Sequence, residues 1–262
     1  MSEVSGRLLV SLEDGVKRIT FNNPTRRNSI DFDTIRAFAE AIKQSAEDET
    51  RVVVITGAGD SFCAGADLQS VNPSGAIRDV TTDIREGVNP SVLAMRNLPK
   101  PIIARVHGHA AGVGCNYALA ADIIIASDQA FFTQAFVKIG LMPDGGGTYF
   151  LPRLVGYNKA FELMALGDSI PARQAFEMGM INRVAPFAEL DETVNALAER
   201  LAKAPAIAIA KIKAGLSASP QSDLASALEF EAVNQGVCFR SADFEEGVAA
   251  FLQKRKAVFT GK

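Results

Sequence analysis

Short apolar runs alternate with helical repeats along the first half of the chain. Residues 7–12 and 16–21 read as two strands around Glu13-Asp14-Gly15, whose Asp-Gly pair signals a hairpin. Asn22-Asn23-Pro24-Thr25 stops the pairing. Asp31 is placed to cap a helix in which Phe32, Ile35, Ala39 and Ile42 recur at helical spacing until Glu47-Asp48-Glu49. Residues 51–56 follow as a mostly apolar strand, hence one buried on both faces, and strand, helix, strand implies a crossover. Residues 57–66, Gly-Ala-Gly-Asp-Ser-Phe-Cys-Ala-Gly-Ala, form a strand-to-loop-to-helix transition, with Asp67 and Leu68 after it. Asn72-Pro73-Ser74-Gly75 breaks the pattern, and residues 76–97 are helical with interruptions at Gly87 and Pro90. Residues 72–90 are therefore placed to act as a lid.

The densest chemistry lies in residues 100–148. Pro101-Ile102-Ile103-Ala104-Arg105-Val106 reads as a buried strand, Ala111-Gly112-Val113-Gly114-Cys115-Asn116 as a glycine turn, and residues 116–121 as a helix. A strand that breaks into glycines and opens a helix leaves backbone N–H groups unpaired, with the positive end of the helix dipole behind them. Such a turn suits an oxyanion or phosphate, and equally serves as a tight connection whose glycines permit positive φ. A second glycine run, Pro143-Asp144-Gly145-Gly146-Gly147-Thr148, adds a carboxylate, although Pro-Asp-Gly by itself is also a common turn sequence.

Residues 123–126 and 131–132 read as further strands, 147–155, 158–166 and 171–178 as short helices, and 180–184 as a late strand. After Pro186 only helices follow: Leu190, Val194, Leu197, Ala198 and Leu201 share one face, and residues 206–218, 224–238 and 243–257 continue with pauses at Pro205, Pro220 and Arg240-Ser241. The expected class is α/β with a helical appendage that packs on the core or on a neighbouring subunit.

At 262 residues and 48% hydrophobic, the chain can bury a full core without staples. Cys63, Cys115 and Cys238 are odd in number and widely spaced, so they form neither a disulfide framework nor a metal pattern. With an acid in Met1-Ser2-Glu3 and no apolar region behind a basic one, no export signal or membrane span is expected, and the location expected is cytoplasmic. A net charge of −3 and no basic run longer than Lys254-Arg255-Lys256 leave no footprint for nucleic acid. His107 and His109 straddle Gly108 without a third ligand at a metal spacing, which makes them packing residues.

Five blocks in order resemble the crotonase (enoyl-CoA hydratase/isomerase) family over nearly the whole chain. They are Asn28-Ser29, Phe62-Cys63-Ala64-Gly65-Ala66-Asp67-Leu68, Lys100-Pro101-Ile102-Ile103-Ala104 running into Gly112-Val113-Gly114-Cys115, Gly140-Leu141-Met142-Pro143-Asp144-Gly145-Gly146-Gly147-Thr148, and Glu246-Gly247 to Phe259. The resemblance implies a spiral of ββα turns, with residues 1–200 as an acyl-CoA-binding core and 201–262 as a helical region that makes homotrimers or dimers of trimers. It implies an acyl-CoA substrate, with coenzyme A present only as part of that substrate and no metal or redox cofactor. Matched by motif, the thioester oxygen lies between the backbone N–H groups of Ala66 and Val113. Arg26, Arg27, Ala64, Asp67 and Leu68 line the CoA site, and Phe251 and Lys254 reach a neighbouring subunit's adenine and phosphate.

Carboxylates decide the reaction. The hydratases of the family use two glutamates, and the matching positions here are Asn116 and Phe136, neither of which exchanges a proton at neutral pH. Asp144 stands where the family's isomerases carry a single acid, including the branch acting on a ring epoxide of phenylacetyl-CoA, which Phe136 and the Leu141-Met142-Pro143-Asp144 run resemble. One carboxylate suffices for a 1,3-proton shift, and apolar neighbours such as Phe136 and Met142, lining the acyl pocket beside Asn116, are expected to raise its pKa. The alternatives are a 2-enoyl-CoA hydratase and, in another class, a non-catalytic CoA- or RNA-binding homologue. Asp67 is expected to cap a helix, and Cys63 and Cys115 to be small core residues.

Overall fold

The computed structural model describes residues 2–5, 7–71 and 79–262. Its strands are β1 (Ser2–Ser5), β2 (Leu8–Glu13), β3 (Val16–Phe21), β4 (Val52–Gly57), β5 (Ile102–Val106), β6 (His109–Ala111), β7 (Ile123–Ser127), β8 (Phe131–Thr133), β9 (Ser169–Pro171) and β10 (Arg183–Ala185). The main sheet runs β1-β2-β3-β4-β5-β7-β10, antiparallel over its first three strands and parallel from β3 onward. The antiparallel part closes on Asp14 and Gly15, both at positive φ as a two-residue hairpin turn requires. Helix Phe32–Glu47 then makes the crossover to β4. Its cap is Asp31, which accepts from the Thr34 N–H at 2.8 Å. Its apolar face buries Ile35, Phe38 and Ile42, and the Phe38 ring lies 5.2 Å from Phe21 and 5.0 Å from Tyr117.

The uniformly apolar sequence of β4 serves two cores. Val53 and Ile55 point into the larger one, with Ile102, Ala104 and Val106 of β5, while Val52 and Val54 point to the other face beside Ile103. Each such side chain fully buried is worth about 2 kcal/mol. Helix Leu190–Ala202 covers the second face through Leu190, Val194 and Ala198. Arg105 shares that face and is bound by Asp191 at 2.7 and 3.1 Å, in the acidic first turn of the same helix.

In a second sheet, β6-β8-β9, only β8 matches an expected strand, at 131–132; β6 and β9 are absent from the sequence pattern because they are three residues long and β9 ends in Pro171. The strand expected at 180–184 is displaced to Arg183–Ala185. Met180 and Ile181 are apolar because they enter the core, and Asn182 pairs with Ile124 through both its main chain and its side chain. The first part of the expected lid, residues 72–78, lies outside the described residues. Beyond it, a turn at Thr81–Asp83 leads into a π-helical segment, Ile84–Val88, and helix Asn89–Asn97. Pro90 has no N–H to give the Glu86 carbonyl, which accounts for the wider turn there.

Helices Ala206–Ala218, Leu224–Phe239 and Ala242–Leu252 end the chain and enclose an open groove of about 860 Å³. The last residues fold back, with Thr260 and Gly261 N–H donating to Asp243 and Arg51 donating to the Thr260 carbonyl. Helix Ala242–Leu252 does not bury its far end, for Phe251 is 83% exposed. Among the described residues, no helix is long and apolar enough to cross a membrane.

Candidate active site

The site is built by register. The segment after β4 runs beside β6, with Phe62 N–H donating to the His107 carbonyl, Cys63 N–H to His109, and Ala111 N–H to the Cys63 carbonyl. Cys63 thereby pairs with Ala110 in parallel, and three residues further on Ala66 and Val113 come to corresponding positions. The two turns touch. Gly65, at φ +96°, leaves no room for a side chain, since a Cβ would lie 2.8 Å from the Ala111 carbonyl oxygen and 3.6 Å from the Gly112 Cα. Gly112, at φ +54° and ψ −131°, takes a conformation closed to other residues and hands the chain to helix Val113–Ala120. Among the described residues, the Ala66 N–H meets no backbone acceptor, while its flanking Gly65 carbonyl and Asp67 N–H are both taken by Ile30. Val113, first in its helix, has no intrahelical acceptor.

Asn28 supports the first turn. Fully buried and at φ +57°, it accepts from Asn23 N–H and donates to the carbonyls of Ala58 and Ser61 at 2.7 and 2.6 Å. Asp67 is buried at 4% exposure and is bound by Arg26 at 3.0 and 3.1 Å and by Arg7 at 3.3 Å. It also takes a side-chain hydrogen bond from Ser70 and a 3.3 Å contact from the Gln69 N–H at the start of helix Leu68–Val71, so the expected capping role is combined with ion pairing. Arg26 is also engaged by Gln69, whereas the exposed Arg27 guanidinium has no partner among the described residues. Ala64 N–H is held by the Arg27 carbonyl, and Leu68 is exposed.

The third turn closes the site from the other side. A Cβ on Gly145, at φ +57°, would lie 3.1 Å from Val113 Cγ2 and 3.5 Å from Asn116 Cβ, so Asp144 precedes a residue that abuts both helix positions. Burial pushes the Asp144 carboxyl up to about 6, and its buried Oδ1 meets no donor among the described residues. Asn116 is completely buried and gives its amide N–H to the Asp144 main-chain carbonyl at 2.7 Å. Phe136 is buried, with its ring 3.8 Å from where a Gly112 Cβ would stand. Met142 differs from expectation: at 72% exposure it shields nothing, because the chain passes over the surface between Gly140 and Pro143.

His107 binds Arg105 and the Gly59 carbonyl, His109 stacks on Phe131, and burial pushes the Cys63 and Cys115 thiols up to about 12. Among the described residues, no group of three or more His, Cys, Asp or Glu could hold a metal. One residue escaped the sequence reading. Gln134 is buried and donates to Asn116 Oδ1 at 2.7 Å; its only signal was a polar residue inside the apolar stretch Phe132 to Val137.

Residues 11–262 match the model of a family described as enoyl-CoA hydratase/isomerase. The chain belongs to the enoyl-CoA hydratase/isomerase family. It is 42% identical to a 1,2-epoxyphenylacetyl-CoA isomerase of Escherichia coli, covering 97% of this chain and 98% of that one. A crotonyl-CoA hydratase of Syntrophomonas wolfei is 35% identical over 97% and 98% of the two chains. The crystal structure of an enoyl-CoA hydratase from Bacillus anthracis superposes with a TM-score of 0.92 at 31% identity, covering 98% of this chain and all of that one. The fold is that of the crotonases, and an acyl-CoA thioester substrate is consistent with the family.

Proposed function

We propose that this member of the family is an enoyl-CoA isomerase in which Asp144 is the single acid and base. The carboxylate takes a proton from C2 of a 3-enoyl-CoA, and the C3–C4 double bond moves to C2–C3 as the same proton is returned to C4. In between, negative charge rests on the thioester oxygen, held by the Ala66 and Val113 N–H groups; each such donor is worth about 3 kcal/mol in the transition state. The observation that carries this reading is the Asp144 carboxyl: raised to about 6, without a donor, and accompanied by Asn116 and Phe136 where hydration would need a second acid. Because the E. coli relative is a 1,2-epoxyphenylacetyl-CoA isomerase, we place that ring epoxide first among substrates to be tried.

The test is turnover of 3-enoyl-CoA, 2-enoyl-CoA and the ring epoxide by wild type and Asp144→Asn. Isomerisation should fall by about 10³ in the variant with CoA affinity nearly intact, since general acid–base groups contribute 10²–10⁴. Fast hydration of 2-enoyl-CoA that survives Asp144→Asn would replace this reading with the hydratase one.

The active assembly proposed is a homotrimer or a dimer of trimers, with Phe251 and Lys254 completing a neighbour's CoA site. Exposed Phe251 at the end of helix Ala242–Leu252 and the open groove beside it support this. Removing residues 240–262 should reduce assembly size and CoA affinity together; unchanged light scattering and affinity would contradict it.

A further inference from the structure

The protein holds Asp144 by its main chain and leaves its carboxylate alone. Asn116 directs its NH₂ at the Asp144 carbonyl, which can only accept. That contact fixes the amide's orientation: its Oδ1 must face the other way, and there it receives the Gln134 NH₂ at 2.7 Å. The Gln134 side chain is oriented in turn, with the same NH₂ 3.6 Å from Cys115 Sγ and its own buried Oε1 without a partner among the described residues. An unpaired buried amide oxygen is a cost. An apolar residue of that shape would remove this cost but strand the buried Asn116 Oδ1, so what Gln134 secures is the orientation of the Asn116 amide.

The Asn116 amide is also the bed on which the turn after Asp144 lies. A Cβ on Gly147 would be 2.7 Å from Asn116 Nδ2, so this turn seats only glycine against an amide in this orientation. Were Asn116 free to flip, its oxygen would face the Asp144 carbonyl, two acceptors would repel, and the turn would lift from Val113.

We propose that Gln134 is a positioning residue for Asp144, locking the Asn116 amide so that the main chain of the acid is fixed beside Val113 while its carboxylate remains without a donor. The proposal rests on the isomerase reading for its kinetic consequence, though not for its structural one. In Gln134→Met the donor is lost at nearly constant volume. Turnover of 3-enoyl-CoA should drop at least tenfold with KM changed less than twofold. The acid limb of the kcat–pH profile should move to lower pH as water reaches the carboxylate. Gln134→Asn, which stays polar but ends a methylene short of Asn116, should show the same split and carries the test if the Met variant does not fold. Adding Gln134→Met to Asn116→Leu should cost less than twofold more, since both cut one connection. Wild-type kcat and an unmoved acid limb in the folded variants would overturn the proposal, leaving Gln134 a mere core residue. If the wild type turns over no enoyl-CoA, the isomerase reading falls by itself. The titration of Asp144, followed by NMR on ¹³C-labelled aspartate and assigned by its loss in Asp144→Asn, then decides: a lower midpoint in Gln134→Met supports the role of Gln134, and an unchanged one overturns it.

Discussion

Asp67 and Asp144 each sit beside a glycine turn of the site, and the protein treats them in opposite ways. Asp67 is the less exposed of the two, although fewer protein atoms surround it, and burial alone would raise it. Ser70, Arg26, the Gln69 N–H and Arg7 outweigh that and hold its carboxyl below the usual carboxylate range. Asp144 is only half-buried, yet burial pushes it to about 6 because no donor opposes it. Low exposure is therefore not what separates the two carboxylates. Donors are: around Asp67 they are aimed at the carboxylate, and around Asp144 at the main-chain carbonyl, through Asn116.

The most severe way to probe the contrast is Asp144→Asn, for which the loss of about 10³ in turnover should come without loss of fold. Next is the turn at Val113, proposed above to bind the oxyanion. Val113 is the first residue of its helix, where proline is tolerated because that N–H has no intrahelical partner. Val113→Pro should therefore leave helix Val113–Ala120 intact while deleting one donor to the thioester, lowering kcat by about 10² through roughly 3 kcal/mol. Circular dichroism beside steady-state kinetics checks both halves; an active, folded Pro variant would remove Val113 from the oxyanion site.

Stability against pH separates the aspartates by sign. A carboxyl raised in the folded state binds its proton more tightly there than in the unfolded chain, so its contribution is fully present below pH 3.8 and is lost as pH rises through about 6. Asp144→Asn removes that cost. The variant should be more stable than wild type at pH 7, by at most about 3 kcal/mol, with the difference vanishing near pH 4. Urea unfolding at the two pH values measures it, and equal stability at pH 7 would mean that the carboxylate is well solvated.

The sequence carried some of this arrangement and not the rest. The hairpin at Asp14-Gly15, the cap at Asp31 and the doubly buried β4 were legible, because each is a local pattern of turn chemistry or periodicity. The glycines at 65 and 112 were legible as turns, and Asp144 as a lone carboxylate. What brings the turn at Gly65 against the turn at Gly112 is the pairing of Cys63 with Ala110, a contact between segments far apart in the chain and only a few residues long. No periodicity records it. For the same reason β6 and β9 were missed, and Gln134, one polar residue in an apolar stretch, gave no hint that its partner was Asn116. Met142 misled because hydrophobicity in sequence does not say which side of a turn a residue takes.

The smallest effect is expected at Asp67, and its sign is the point. Asp67→Asn keeps the shape of the side chain and its contacts to N–H groups, but gives up the charge that faces Arg26 and Arg7. Both arginines are more than a third exposed, so water screens the pairing, and the loss at pH 7 should be about 1 kcal/mol rather than the larger figure for a fully buried pair. A carboxyl lowered in the folded state contributes stability above its unfolded pKa and loses it as pH falls through the folded value. Wild type should therefore exceed the variant at pH 7 and converge with it once pH falls below the lowered Asp67 value, the reverse of the Asp144 case. Added salt should narrow the gap at pH 7, since the arginines reach Asp67 from the solvent side. A variant that is more stable than wild type at pH 7 would place Asp67 with Asp144 as a carboxylate held against its preference, and the distinction between donors to a carboxylate and donors to its main chain would fail.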